Sequence, residues 1–258
     1  MSDADRAVRA AGFLAVQHRG TPRPRALPTE LAPRSEAEAY EVQRELAREL
    51  GAAIGGWKVA MHAPDRGTYA PIFAADIHRT PARVSGGEAA RLAIEPEIAF
   101  QLRRDLPPLG AASRYSREQL IDAIEAAYAV IEILISRLAS QGFPPPLEHL
   151  ADNMSNGGLV LSAPSSQWQP LDLRTIPLRL QIGAADGTAT THEARGGHGL
   201  GDPLIPLLWL VNERSRAGGL KAGEIITTGS YAGLHFAARG ARASVEFTGL
   251  GTALLEVS

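Results

Sequence analysis

The chain has 258 residues, enough for one large domain or two small ones, and its 45% hydrophobic and 21% charged residues are the balance of an ordinary globular protein. A formal net charge of −2 gives no electrostatic case for nucleic acid or an anionic membrane surface, and the absence of cysteine excludes disulfides, thiolate metal sites and thiol nucleophiles. The charged start Met1-Ser2-Asp3-Ala4-Asp5-Arg6 leads into no apolar run of signal-peptide type, and no stretch reaches the ~20 apolar residues of a membrane span, so a cytoplasmic location is expected.

Val8, Ala11, Leu14 and Ala15 recur at helical spacing and predict a helix from Asp3 to Gln17. Ser35 with Glu38 three residues on predicts a capped second helix ending near Leu50. Gly51, Gly55 and Gly56 then break into a short strand, Trp57 to Met61, that carries Lys58. Short strands follow within Pro71–Ile77 and Ala82–Val84. Ile94-Glu95-Pro96-Glu97-Ile98-Ala99-Phe100 alternates at its start and reads as a longer strand. Ser116 and Gln119 cap an amphipathic helix expected over Arg117–Ala127, and the apolar, β-branched run Tyr128–Ile135 predicts a central strand. Asp152-Asn153 opens a loop into a strand at Leu159–Leu161. Strands at Leu178–Ile182 and Thr188–Glu193 flank a turn at Asp186-Gly187. A helix starts at Asp202-Pro203 and stops at Gly218-Gly219, and strands at Ile225–Thr228, Ala243–Phe247 and Ala253–Val257 close the chain. The pattern is α+β, with a helical N-terminal part over residues 1–85 and a β-rich core over 86–258.

Three carboxylates stand out. Glu95 and Glu97, two apart on a strand, project from one face and repel each other unless a positive charge lies between them. Glu132 interrupts an otherwise apolar central strand, where a glutamate is rarely buried unless paired or bound to a metal. A hard divalent cation with oxygen ligands is the simplest candidate between Glu95 and Glu97. The alternative for Glu95 and Glu97 is a solvated face, and for Lys58 a charge that protects a strand edge. His62, His78 and His198 read as solvated or locally bonded. The stretch Gly196–Gly201 bridges no βαβ unit, so a dinucleotide site is not expected, and Ser230 lacks the surroundings of a nucleophile elbow.

With these residues placed, the order of segments resembles the fumarylacetoacetate hydrolase superfamily, and within it the 2-keto-4-pentenoate hydratase and 4-oxalocrotonate decarboxylase branch. The resemblance runs from Gly56-Trp57-Lys58 to the end of the chain, and its carriers are Ile94–Phe100, Ile131-Glu132-Ile133 with Ser136-Arg137, Ala151-Asp152-Asn153, Gly201–Leu204, Leu220–Glu224, Thr228-Gly229-Ser230 and Gly249-Leu250-Gly251. The resemblance implies a β-roll core and at least a homodimer. It implies that Glu95, Glu97 and Glu132 hold one Mg²⁺ or Mn²⁺ facing Lys58 as the catalytic residue. Ile72, Phe73, Asn153 and Ser230 then belong to the substrate side. Where the hydratases usually carry Pro-Asp-aromatic this chain has Pro71-Ile72-Phe73, and where they have Val-Asp-Ser-Arg it has Leu134-Ile135-Ser136-Arg137. Ala232 stands where a threonine often lies. The implied activity is hydration of a 2-hydroxy-2,4-dienoate to a 4-hydroxy-2-keto acid. Alternatives are a metal-dependent decarboxylase or C–C hydrolase of a related 2-keto acid, or a non-catalytic paralogue subunit. Ile72 and Ile135 are expected at the substrate's far end, favouring an apolar tail.

Overall fold

A computed structural model describes residues 2–19, 23–85, 91–110, 112–138 and 144–258. Two helices come first, α1 (Asp3–Arg19) and α2 (Glu36–Glu49). Ser35 caps α2 by accepting the Glu38 backbone N–H. The helices pack as a hairpin through Ala7, Ala10, Ala11 and Leu14 on one side and Ala39, Val42 and Leu46 on the other. Arg6 pairs with Glu38 across them at 3.3 Å.

Two sheets follow. The larger takes β1 (Ile54–Ala63), β2 (Arg66–Phe73), β3 (Ile77–Arg79), β5 (Arg91–Leu102), β6 (Ile124–Leu134), β7 (Asn156–Leu161), β10 (Ile225–Ser230) and β11 (His235–Ala238). Its order is β2-β1-β10-β5-β6-β7-β3, with β11 also paired to β5. The second sheet has the order β4-β13-β12-β8-β9, from β4 (Ala82–Val84), β8 (Pro177–Gly183), β9 (Ala189–Arg195), β12 (Arg242–Phe247) and β13 (Gly251–Val257). It packs on one face of the larger sheet, where Ile94, Ile98, Phe100, Ile131 and Ile133 meet Val245, Phe247, Ala253 and Leu255. The larger sheet curls until β2 contacts β7. Ile72, Ala99, Tyr128, Val130, Leu159 and Leu161 fill the inside of the curl.

The α+β expectation stands. The proposed division at residue 85 does not match the sheet, because β1 and β2 join β5 through β10 and so belong to the core. The helical part is 3–49, and the boundary itself falls at residues 86–90, outside the described ones. A second correction concerns α3 (Arg117–Ala123). Its capping box at Ser116 and Gln119 forms, but the helix ends at Ala123 and β6 begins at Ile124. Glu125, Ala126 and Ala127 have helical propensity, yet Gln101↔Ala126 and Phe100↔Ala127 pairing on the sheet overrides it. Two further helices are α4 (Pro146–Ala151), which the sequence pattern does not signal, and α5 (Leu204–Arg214).

Candidate active site

Strand parity brings the predicted charges together. On β5 and β6, Glu95 pairs in register with Glu132 and Glu97 with Val130, so all three carboxylates face the inside of the curl. On β1, Lys58 pairs with Thr227 of β10, which pairs with Ala99 of β5, so Lys58 shares that face. Gly56 makes this register possible, since a Cβ there would lie 2.1 Å from the Ile225 carbonyl oxygen. One oxygen from each of Glu95, Glu97 and Glu132 lies within 4.8 Å of the others. Lys58 Nζ is 2.6 Å from Glu132 Oε1 and donates to the Met154 carbonyl at 3.2 Å. Glu97 Oε2 accepts the Gly229 N–H at 3.0 Å, and Asn156 Nδ2 donates to Glu132 Oε1 at 3.4 Å.

Lys58, Glu97 and Glu132 are almost fully buried, and Glu95 is half-buried. Burial first, then the Glu132 charge, pushes the Glu95 carboxyl up to about 7 against the pull of Lys58. Burial, then Glu132 and Glu95, raises Glu97 well above the usual carboxylate range. Three carboxylates and one ammonium leave a formal −2 in this cluster, the charge one divalent cation cancels. The donors are all oxygen, which suits Mg²⁺, Mn²⁺ or Ca²⁺ rather than a soft metal. The residues present therefore fit such an ion.

The cluster forms the floor of a cavity of about 390 Å³. Val59, Met61, Leu134, Met154 and Leu200 give it apolar walls, and His149, His198 and Ser230 add polar groups. Met154 is held in an unusual turn in which Asn153, Met154 and Ser155 all have left-handed φ, at 49°, 52° and 55°. Such residues cost about 1–3 kcal/mol each unless the surroundings impose them. Here Arg137 and Asp152 do so, both buried: Arg137 donates to Asp152 Oδ1 at 2.5 Å, to the Asp152 carbonyl at 2.6 Å and to the Asn156 carbonyl at 2.5 Å. The turn thereby aims the Met154 carbonyl at Lys58.

The sequence-predicted residues divide at this point. Lys58, Glu95, Glu97, Glu132 and Ser230 line the cavity. Asn153 is buried beside it within the turn, with Oδ1 unpartnered. Ile72 and Phe73 do not reach it. Ile72 is fully buried among Val130, Leu159 and Leu161 inside the curl, and Phe73 packs near the ring of His18. Ile135 packs against Gly157, while its neighbour Leu134 turns to the cavity. The apolar wall exists, but Leu134, Met61 and Leu200 form it. His149 is the lining residue that sequence reasoning missed, because it sits on the short helix α4.

A family profile described as "Fumarylacetoacetate (FAA) hydrolase C-terminal" matches residues 41–258. The chain belongs to the fumarylacetoacetate hydrolase family. Among named relatives, 2-keto-4-pentenoate hydratase 2 of Dechloromonas aromatica (strain RCB) is 29% identical over 233 residues, 86% of each chain. The 2-keto-4-pentenoate hydratase of Burkholderia vietnamiensis (strain G4 / LMG 22486) is 27% identical over 204 residues, 74% of each chain. A solved structure with the same fold is 4-oxalocrotonate decarboxylase from Pseudomonas putida G7, complexed with magnesium and adipate. It has a TM-score of 0.80 at 21% identity, covering 98% of both chains. No described helix of this family member is long and apolar enough to cross a membrane.

Proposed function

We propose that the protein is a divalent-cation-dependent hydratase that adds water to a 2-hydroxy-2,4-dienoate bearing one carboxylate, giving a 4-hydroxy-2-keto acid. The observation that carries this reading is the buried cluster of Glu95, Glu97 and Glu132 with Lys58, on the floor of a cavity with apolar walls. The relatives' names point to the same reaction class. The three glutamates would hold Mg²⁺ or Mn²⁺, which supplies Lewis-acid stabilisation of negative charge developing on a substrate oxygen.

The chain's own groups do the rest. Lys58 has three N–H bonds and two protein acceptors, so one N–H is left for a substrate oxygen. Its charge stabilises an enolate there. The apolar side chains beside the cluster lower the local dielectric and strengthen each of these interactions. Among the described lining residues, Lys58 is the only side chain of permanent positive charge. A second substrate carboxylate at the far end would meet only Met61, Leu134, Leu200 and neutral groups, and burying it unpaired is costly. Cytoplasmic location and association into at least a homodimer are part of the reading, the latter checked by sedimentation velocity.

The test is an assay of the pure protein with Mg²⁺ against 2-hydroxy-dienoates and 2-keto acids, each as a mono- and a diacid. Hydration of the monoacid, favoured over the diacid by tenfold or more (about 1.4 kcal/mol), is the expected result. Release of CO₂ from the diacid would instead assign the decarboxylase reading, and silence across the panel would leave a non-catalytic subunit.

A further inference from the structure

His198 lines the cavity without a task in the cation–lysine cluster, and its imidazole is fixed at both nitrogens. Nδ1 accepts the Leu200 N–H at 3.2 Å, which puts the ring proton on Nε2. Nε2 lies 2.7 Å from the Thr228 carbonyl oxygen and donates to it. Burial holds the imidazole below its ordinary value, against the pull of the Thr228 carbonyl and Asp202, so it stays neutral. The ring sits beside Tyr231, with centroids 5.3 Å apart. The backbone before it is equally constrained, since a Cβ on Gly197 would lie 2.2 Å from the Tyr231 carbonyl oxygen. After it, the Gly201 N–H closes the turn onto the His198 carbonyl at 2.8 Å.

The oxygen that His198 holds belongs to a peptide that reaches the carboxylate cluster. The Thr228 C=O and the Gly229 N–H are the two ends of one planar, trans unit and point in opposite directions. The Gly229 N–H donates to Glu97 Oε2 at 3.0 Å. Strand β10 breaks register between Thr227 and Ser230, and Gly229 takes a φ of 109°, a conformation that glycine adopts without strain. At that break side chains take both ends of the peptide, the imidazole its oxygen and Glu97 its N–H. Thr228 itself is buried, with Oγ1 donating to the Ile98 carbonyl at 3.0 Å. Among the described residues this N–H is the only hydrogen-bond donor to Glu97, whereas Glu132 has Lys58 and Asn156.

We infer that His198 is the positioning residue for Glu97, acting through the Thr228–Gly229 peptide. This rests on the reading above that Glu97 is one of the carboxylates that hold the cation. Donation from Nε2 to the carbonyl pins the peptide plane and polarises it, so the N–H is both aimed and strengthened as a donor. Glu97 Oε2 is thereby held in place, and the other carboxylate oxygen is left for the ion. A carboxylate placed before the ion arrives gives up less freedom on binding it. The imidazole touches neither the ion nor the substrate in this role; it acts on them through one peptide and one carboxylate.

The experiment titrates Mn²⁺ into chelator-treated wild type, His198→Gln and His198→Asn by calorimetry. Glutamine carries its amide N–H at the level of Nε2 and can still donate to the Thr228 carbonyl. Asparagine carries its amide oxygen at the level of Nδ1 and keeps only the Leu200 link. His198→Asn is expected to bind Mn²⁺ about tenfold more weakly, and His198→Gln to stay within about threefold of wild type. A role in packing alone would not separate the two variants in this order, since asparagine and glutamine both replace the ring. A second readout needs no cation. In amide NMR spectra of the chelated protein, the Gly229 proton resonance is expected to move upfield in His198→Asn, as its hydrogen bond weakens, and to keep its place in His198→Gln. Wild-type affinity in His198→Asn, an unmoved Gly229 resonance in that variant, or His198→Gln binding as weakly as His198→Asn would overturn the role of His198 and leave Glu97 a cation ligand. Wild type that binds no Mn²⁺ at millimolar concentration would overturn both.

Discussion

At Lys58 an ammonium group is held out of solvent against Glu132 Oε1 and one carbonyl oxygen. Lys58→Met leaves Glu132 buried and unpaired, and breaking such a pair costs about 3–5 kcal/mol. In the cation-free protein the melting temperature therefore falls. With Mn²⁺ most of that loss returns, because the ion takes up the Glu132 charge, while turnover stays down by roughly two to four orders of magnitude. A variant that melts and turns over like wild type would reduce Lys58 to a bystander. The carboxyls give a pH signature of definite sign. Glu95 and Glu97 have folded values raised above the ordinary carboxylate one. Their protonated forms stabilise the apo fold fully below about 4.5, and that contribution is lost as pH rises through about 7 for Glu95. Melting curves in chelator should thus decline from acid toward neutral pH, and added Mg²⁺ should restore most at the high end. An apo melting temperature that rises through this range would contradict the raised carboxyls.

At the scale of elements, strand parity made the site legible and strand depth did not. Spacing by two puts Glu95 and Glu97 on one face from the letters alone, and a carboxylate within Tyr128–Ile135 announces itself by its apolar neighbours. Ile72 shares that face as well, yet it lies further down the curl, packed on Val130 and Leu161. Parity gives the face but not the height, so Ile72 was expected in the cavity and is found beneath it. Ile72→Asp is accordingly expected to unfold the protein or lower its melting temperature steeply, by burying an unpaired charge, rather than to change tail preference. A stable Ile72→Asp enzyme with altered preference would put this residue back in the pocket. His149 escaped notice for a different reason. Helix α4 is only Pro146–Ala151, too short for a periodic pattern, and its position depends on contacts from α2 and on the Arg137–Asp152 ion pair.

For the molecule as a whole, the second sheet and the α1–α2 hairpin have one consequence for function: they hold a curled sheet whose inside is apolar at depth and charged at its mouth. The family was readable because seven short segments keep their order along the chain. The extent of the curl was not, since it depends on β1 joining β10 in parallel across most of the sequence. Everything proposed about reaction and substrate depends on that mouth holding a divalent ion. The direct test is calorimetric titration of the chelator-treated protein with Mn²⁺, above neutral pH, in two buffers of different ionisation enthalpy. One ion per chain in wild type, with proton release, and none for Glu132→Gln is the predicted result. No binding by wild type at millimolar Mn²⁺, or undiminished binding by Glu132→Gln, would contradict it.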